Sequence, residues 1–312
     1  MQTVQELLAG LRLGSAQVHH NLAIFPLLAL GQGGGNESAD YMLLGEALEK
    51  KLARVTEVSG QGSAANLTFE NDSSEQVLLI DGDELIGAKQ NRVINISILV
   101  GGGKRIVIPV SCVEQGRWRY HSPDFYHSGR SYFNSGRARM AEQVSRSLRS
   151  SGYRHSDQGN VWSSVSEKIR STGTDSPTES MSDAYESSEL LLDSYTKAFR
   201  AEPRQCGALA FIDGRVVGLE YYDCASTFAK CLDKLVRGYA FDAIETNTGT
   251  APFSPVEEEA KRFLERIGAA AKESFAALGE GEDIRISGKG LVGSALVANG
   301  RIVHMAGFEI ST

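Results

Sequence analysis

Three dipeptides, Asp81-Gly82, Asp213-Gly214 and Asn299-Gly300, each stand between apolar runs with strand character. Such pairs favour the positive-φ backbone of a tight antiparallel turn, so they constrain the fold more than any other feature of the chain. Ala208–Leu219 and Ser294–Met305 read as complete hairpins on this basis. Their shared pattern (small residue, Leu, turn, Gly-Arg, β-branched pair) reads as the hairpin signature arising twice rather than as an internal repeat. A further hairpin is expected from Val93–Val100 and Arg105–Val110 across the Gly101-Gly102-Gly103 turn, since both flanks are nearly continuous apolar runs. The Asp81-Gly82 turn after Gln76–Ile80 points the same way, to antiparallel pairing.

Helical signals lie between these strands. Thr3 with Glu6 forms a capping box ahead of a helix to Leu11. Strands are expected at Ala16–His20, Leu22–Leu30, Asn66–Glu70 and Gln76–Ile80. A helix over Ala39–Arg54 is read from the apolar stripe Leu43, Leu44, Ala47, Leu48 and Leu52. Others are expected at Arg137–Arg149, Val161–Arg170, Ser182–Arg200 and Ser226–Ala243. The last, Ser254–Leu278, opens on Ser254 as N-cap and Pro255 at N1. Gly31-Gln32-Gly33-Gly34-Gly35 lacks the lysine and hydroxyl of a phosphate-binding loop and reads as a linker. The fold class is therefore α+β, with largely antiparallel sheets built from hairpins and a helical layer. The parts are 1–122, β-rich and carrying the central motifs; 123–200, polar, Arg/Ser-rich and helical; and 201–312, α+β. One continuous domain is the other reading.

The 312 residues are 41% hydrophobic, enough for sizeable cores. No signal-peptide pattern or membrane-length apolar run is present, so a cytoplasmic protein without a membrane role is expected. Four cysteines without a Cys-x-x-Cys pair imply reduced thiols rather than a disulfide scaffold or zinc ribbon. The net charge of −7 argues against nucleic acid as a partner. It conceals an asymmetry: Leu85–Arg154 holds twelve basic residues against three acidic ones, a local +9. Ten of the twelve are arginine, whose planar fork suits phosphate and carboxylate. Either a small anionic ligand or an acidic protein partner fits this, as does pairing with acidic residues of the same chain.

Two polar motifs bracket the central strands. Gln90, Asn91 and Arg92 open the first strand with amide and guanidinium donors, and Ser111-Cys112-Val113-Glu114-Gln115-Gly116-Arg117-Trp118 follows the second. Gln90, Asn91, Arg92, Arg117 and Trp118 are the candidate ligand-binding residues. Glu114, Cys112 and Glu84 are the candidate catalytic ones: two carboxylates for acid–base work and a thiol. Against these stand packing for Cys112, ion pairing for Glu84 and Glu114, and core covering for Trp118. Asp83, next to a tight turn, is expected to be solvated, and His121 and His127 to be exposed loop residues. Asp81, Asp83, Glu84 and Glu114 could hold a divalent cation, but no metal-ligand spacing is strong, and the sequence leaves the cofactor unknown and metal binding open.

Leu79–Arg92, Val110–Trp118, Lys234–Ala243 and Val303–Phe308 together resemble the ARG-and-rhodanese-phosphatase-superfamily-associated protein domain family over nearly the whole chain. The resemblance implies no settled reaction. It suggests a nucleotide or ADP-ribose theme by association with ADP-ribosylglycohydrolases and phosphatase-like proteins. The function expected is binding, and in one form processing, of a phosphate-containing, nucleotide- or ADP-ribose-like ligand near the central hairpin. The alternative is a non-enzymatic protein that docks an acidic partner through its Arg-rich segment. Whether the chain is an enzyme and whether it forms oligomers are left open by the sequence.

Overall fold

The computed structural model describes residues 2–30, 38–247 and 254–310. The Gly31–Gly35 linker lies outside them. In chain order the elements are α1 (Val4–Ala9), β1 (Leu11–Leu13), β2 (Gln17–His19), β3 (Leu22–Ala29), β4 (Tyr41–Leu43), α2 (Leu44–Glu49), β5 (Ala53–Glu57) and β6 (Asn66–Asn71). They continue with β7 (Gln76–Leu79), β8 (Asp83–Gly87), β9 (Arg92–Ile94), β10 (Ile98–Val100), β11 (Arg105–Cys112) and β12 (Phe125–Ser131). Four helices follow: α3 (Asn134–Ser151), α4 (Gln158–Ser171), α5 (Met181–Ser187) and α6 (Glu189–Ala198). The chain ends with β13 (Gln205–Ile212), β14 (Arg215–Tyr222), α7 (Ala225–Thr246), α8 (Glu257–Ala269), β15 (Ala271–Ala276), β16 (Glu282–Gly288), β17 (Leu291–Ala298) and β18 (Arg301–Glu309). The fold is α+β with mostly antiparallel sheets.

Contacts divide the chain into two units. One contains 1–39, 191–277 and 281–312; the other, inserted into it, contains 40–190 and 278–280. Boundaries at 122 and 200 do not coincide with this division, because β12 and helices α3–α5 group with the strands before them. The outer unit is a nine-stranded antiparallel sheet of order β1-β3-β13-β14-β18-β17-β16-β15, with β2 on β3. Asp213 and Asn299 sit at φ 49° and 52°, and the glycines after them at 77° and 79°, the turn conformation these dipeptides select. Helices α1 and α8 bury Val4, Leu7, Ala260, Phe263 and Ile267 in a core with Phe25, Leu27, Phe211 and Leu219. Thr3 and Glu6 cap α1 reciprocally, as their spacing predicts. The helix expected over Ser254–Leu278 is shorter: it starts at Glu257, and from Ala271 the chain becomes an exposed edge strand paired to β16. Alanine-rich propensity yields there to an open ladder of hydrogen bonds.

The inserted unit holds a six-stranded antiparallel sheet, β12-β8-β9-β11-β6-β5, and a three-stranded one, β10-β7-β4, in which β4 runs parallel to β7. Two expectations change here. The central apolar runs do not form one hairpin. Only Arg92–Ile94 pairs with β11, at Val110–Cys112, while Ile98–Val100 leaves to pair with β7. Pro109 has no N–H to continue the ladder. Asn95 and Ser97, held by Arg154 O and Asp81, turn the strand away. Asp81-Gly82 likewise carries the chain from one sheet to the other rather than joining a hairpin. The Ala39–Arg54 segment is helical only over Leu44–Glu49, because Tyr41–Leu43 and Ala53–Glu57 find strand partners. The Ser182–Arg200 helix breaks at Ser188 into α5 and α6. Among the described residues no helix is long and apolar enough to cross a membrane.

Candidate functional site

Gln90, Asn91, Glu114 and Arg117 converge in the inserted unit. The bridging group is the Glu114 carboxylate, which receives Arg117 Nε at 2.8 Å and Thr178 Oγ1 at 3.0 Å on Oε1, and Asn91 N–H at 3.1 Å on Oε2. Arg117 Nη2 also reaches Oε2 at 2.7 Å. The Arg117 guanidinium donates further to Ala88 O, Arg119 O and Asn91 Oδ1, and Gln90 Nε2 donates to the Glu114 carbonyl. Glu114 and Arg117 of the loop after β11 are thereby tied to the turn before β9. The ion-pairing alternative for Glu114 therefore describes its surroundings, and four donors leave its carboxylate little freedom for proton transfer.

Arg92 differs. Its side chain is 0% exposed. Nη1 donates to Gln90 O at 2.7 Å, Gln90 Oε1 at 3.2 Å and Asn91 O at 3.4 Å. Among the described residues Nε and Nη2 have no hydrogen-bond partner, and Glu57 Oε1 is 3.8 Å from Nη2. Burial accordingly pushes the Arg92 pKa below the ordinary arginine value, against the attraction of neighbouring acidic groups. The guanidinium lies 5.4 Å from the centroid of the Trp118 ring. Trp118 is 50% exposed and Tyr120 52%, and Lys89 Nζ sits 5.6 Å and 5.2 Å from their ring centroids. Trp118 covers a charge rather than an apolar core. Arg119, between the two rings in sequence, is exposed.

Cys112 is fully buried, with Sγ directed at Ala64 O, and burial pushes its pKa up to about 11. A thiol in that state is not a ready thiolate nucleophile, so the structure places Cys112 as a packing residue. Glu84 is also fully buried. Ser182 donates to its Oε1 at 2.8 Å, and Oε2 has no hydrogen-bond partner among the described residues. Desolvation raises its pKa, with Ser182 and Ser128 acting in the opposite sense. It lies in the interior and pairs with no arginine at ion-pair distance among the described residues.

Two residues read as solvated or exposed are neither. Asp83 is buried, with Oδ2 at 3.2 Å from Nε2 of His127, a strand residue of β12 whose side chain is 14% exposed. The register of β12 on β8 shifts between His127 and Ser131, a bulge next to Gly129 at φ 77°. His127 also lines a cavity of about 780 Å³ between α2, the start of β5 and β12, whose lining includes Leu48, Arg54, Asp72, Asp124 and Tyr126. Sequence reasoning missed this cavity because α2 and β5 were read as one helix. Asp81 pairs with Arg137 at 2.9 Å. At least seven of the twelve basic residues of 85–154 lie within ion-pair distance of a carboxylate of the same unit: Arg92, Arg105, Arg117, Arg130, Arg137, Arg139 and Arg146. Among the described residues no group of three or more His, Cys, Asp and Glu is placed to hold a metal ion.

A family model matches residues 10–308, that of the ARG and Rhodanese-Phosphatase-superfamily-associated Protein domain. No curated protein and no solved structure matches the chain.

Proposed function

The chain belongs to that family, and on this premise we propose that it binds a phosphate-containing, nucleotide- or ADP-ribose-like ligand at the Arg92–Trp118 face of the inserted unit. The observation that carries the reading is the Arg92 fork, a fully buried guanidinium with two donors, Nε and Nη2, that make no hydrogen bond among the described residues. Two adjacent donors on one guanidinium match two oxygens of a phosphate, and leaving them unmet is costly. A ligand reaches them when the Trp118 side chain swings aside. The half-exposed Trp118 and Tyr120 rings then offer stacking surfaces to a base, and Lys89 and Arg119 attract the anion. The nucleotide theme also draws on the family's association with ADP-ribosylglycohydrolases. Gln90, Asn91, Glu114 and Arg117 hold the face in place. Four free cysteines support a reducing, cytoplasmic setting.

The test is a melting-temperature panel with ADP-ribose, AMP, ATP and inorganic phosphate, read together with quenching of Trp118 fluorescence in a Trp162→Phe background. A ligand at a hundred times its Kd stabilises by about 2.7 kcal/mol. Arg92→Lys keeps the charge but loses the fork, and abolishes the response. Flat melting temperatures across the panel refute the proposal. A salt-sensitive protein complex lost in Arg139→Ala/Arg146→Ala, two exposed positions of the Arg-rich segment, with no ligand response, replaces it with docking of an acidic partner.

A further inference from the structure

We infer that the buried end of the Arg92 site is specific for a protonated phosphate group, a monoester or inorganic phosphate, and that Glu57 makes the selection. The inference rests on the reading above, in which the Arg92 fork holds a phosphate, and it names which kind. Glu57 closes β5, and its side chain is 4% exposed. Oε1 takes a long bond of 3.4 Å from the Lys89 N–H and lies 3.8 Å from Arg92 Nη2, beyond direct hydrogen-bond reach. Oε2 makes no hydrogen bond among the described residues. Gly62, at φ 77°, keeps side-chain atoms off that oxygen, since a methyl added there would lie 3.2 Å from it. Two open donors of Arg92 and an open acceptor of Glu57 thus stand side by side in the interior.

A carboxylate offers acceptors only, so the ligand must supply the proton. The gap suits one tetrahedral group. An oxygen about 2.7–2.9 Å from Nη2 leaves a neighbouring oxygen on the same phosphorus room to stand about 2.5–2.7 Å from Glu57. Were that oxygen bare, two anionic atoms would repel each other in a poorly solvated place; a P–O–H turns the contact into a charge-assisted hydrogen bond. The neighbouring charges act in the same direction. Arg92 and Glu57 offset each other, Arg117 is held by Glu114, and Cys112, its pKa pushed up to about 11, adds no charge. Lys89 is the nearby cation, and it lies beside the half-exposed Trp118 and Tyr120 rings. A monoanion is favoured over a dianion at the buried end. Sulfate and the internal phosphates of ADP-ribose have the tetrahedral shape but carry no proton to give near neutral pH.

The experiment is calorimetric titration of the intact protein with inorganic phosphate, sulfate, AMP and ADP-ribose at constant ionic strength. Phosphate should bind at least about tenfold tighter than sulfate, the worth of one hydrogen bond to a charged group. AMP affinity should fall about tenfold from about pH 5 to about pH 7, because a phosphomonoester loses its second proton near pH 6. Glu57→Gln, whose amide donates as well as accepts, should bring phosphate and sulfate to similar affinities and flatten the AMP profile. Lys89, Glu114 and His121 stay in place in that variant, so a profile set by them persists and one set by Glu57 does not. Equal affinity for phosphate and sulfate, an AMP profile unchanged in Glu57→Gln, or binding of ADP-ribose alone overturns the inference and leaves the reading of the Arg92 face standing. No binding of any of the four overturns both. The wild-type ratio and profile need no variant, so they decide the matter even where Glu57→Gln does not fold.

Discussion

Replacing Glu114 by glutamine changes one oxygen to an amide nitrogen and removes one charge. The carboxylate receives four donors, two from Arg117, one from Asn91 N–H and one from Thr178. A glutamine accepts through one atom only, and its amide group must face a donor on the other side. The Arg117 side chain is 11% exposed. Breaking a buried pair from one side costs about 3–5 kcal/mol. Arg117 keeps Ala88 O, Arg119 O and Asn91 Oδ1, which places Glu114→Gln at the low end, about 3 kcal/mol. For a unit of this size that lowers Tm by about 6–12 °C. The exposed pair Arg105–Glu70 is the control: Arg105→Gln should cost under about 1 kcal/mol. Urea denaturation followed by circular dichroism measures both, and a double-mutant cycle with Arg117→Gln isolates the pairwise part. A loss below about 1 kcal/mol in Glu114→Gln, equal to the Arg105 control, refutes the claim that this carboxylate holds the loop after β11.

Three further outcomes are expected. Cys112, buried and with its pKa near 11, should resist iodoacetamide at about pH 8 in the folded protein and react only on unfolding, as mass spectrometry of the labelled peptide would report. Glu84 has its folded-state pKa raised above 4.5 by burial, so the folded state keeps a proton that the unfolded state loses. Its contribution to stability is therefore full at low pH and is lost as pH rises through the folded-state value; Glu84→Gln should be more stable than the parent at about pH 8, with the gap closing toward about pH 4 in thermal melts. Gly136→Ala would set a methyl 2.5 Å from the Tyr132 ring and should cost about 1–3 kcal/mol by overpacking, measured in the same denaturant assay.

Local signals survived where the interaction that forms the element is itself local. The Thr3–Glu6 box and the Asp213-Gly214 and Asn299-Gly300 turns involve residues adjacent or three apart, and each appears where its spacing puts it. The errors share a different cause. Ile98–Val100 pairs with β7 and Tyr41–Leu43 lies parallel to the same strand, partnerships set by other segments of the chain. An apolar run states that it will be buried, not against what. The same holds for the candidate site. That Gln90, Asn91, Glu114 and Arg117 belong together was legible from two motifs flanking one pair of strands. That Glu114 would be saturated while Arg92 kept two empty donors was not, since that depends on where Thr178, Asn91 and Glu57 come to lie. His127 was misread because the bulge that turns it toward Asp83 leaves no mark in composition.

The order in which the sheet of the outer unit is joined bears on how the protein is made. Strand β3, buried along its whole length, pairs with β13, Leu22 opposite Ile212. Everything from residue 40 to residue 190 leaves the ribosome between those two partners. At about 5–20 residues per second, the β1–β3 segment waits on the order of 10–40 s with an apolar edge and no strand to cover it. The inserted unit can fold during that interval from its own residues, with Leu278–Glu280 joining last. The nascent N-terminal hairpin is thus the stretch most in need of a chaperone during translation, and conditions that slow elongation between Asp40 and Leu190 should lower the yield of soluble protein more than the same delay placed after Ile212.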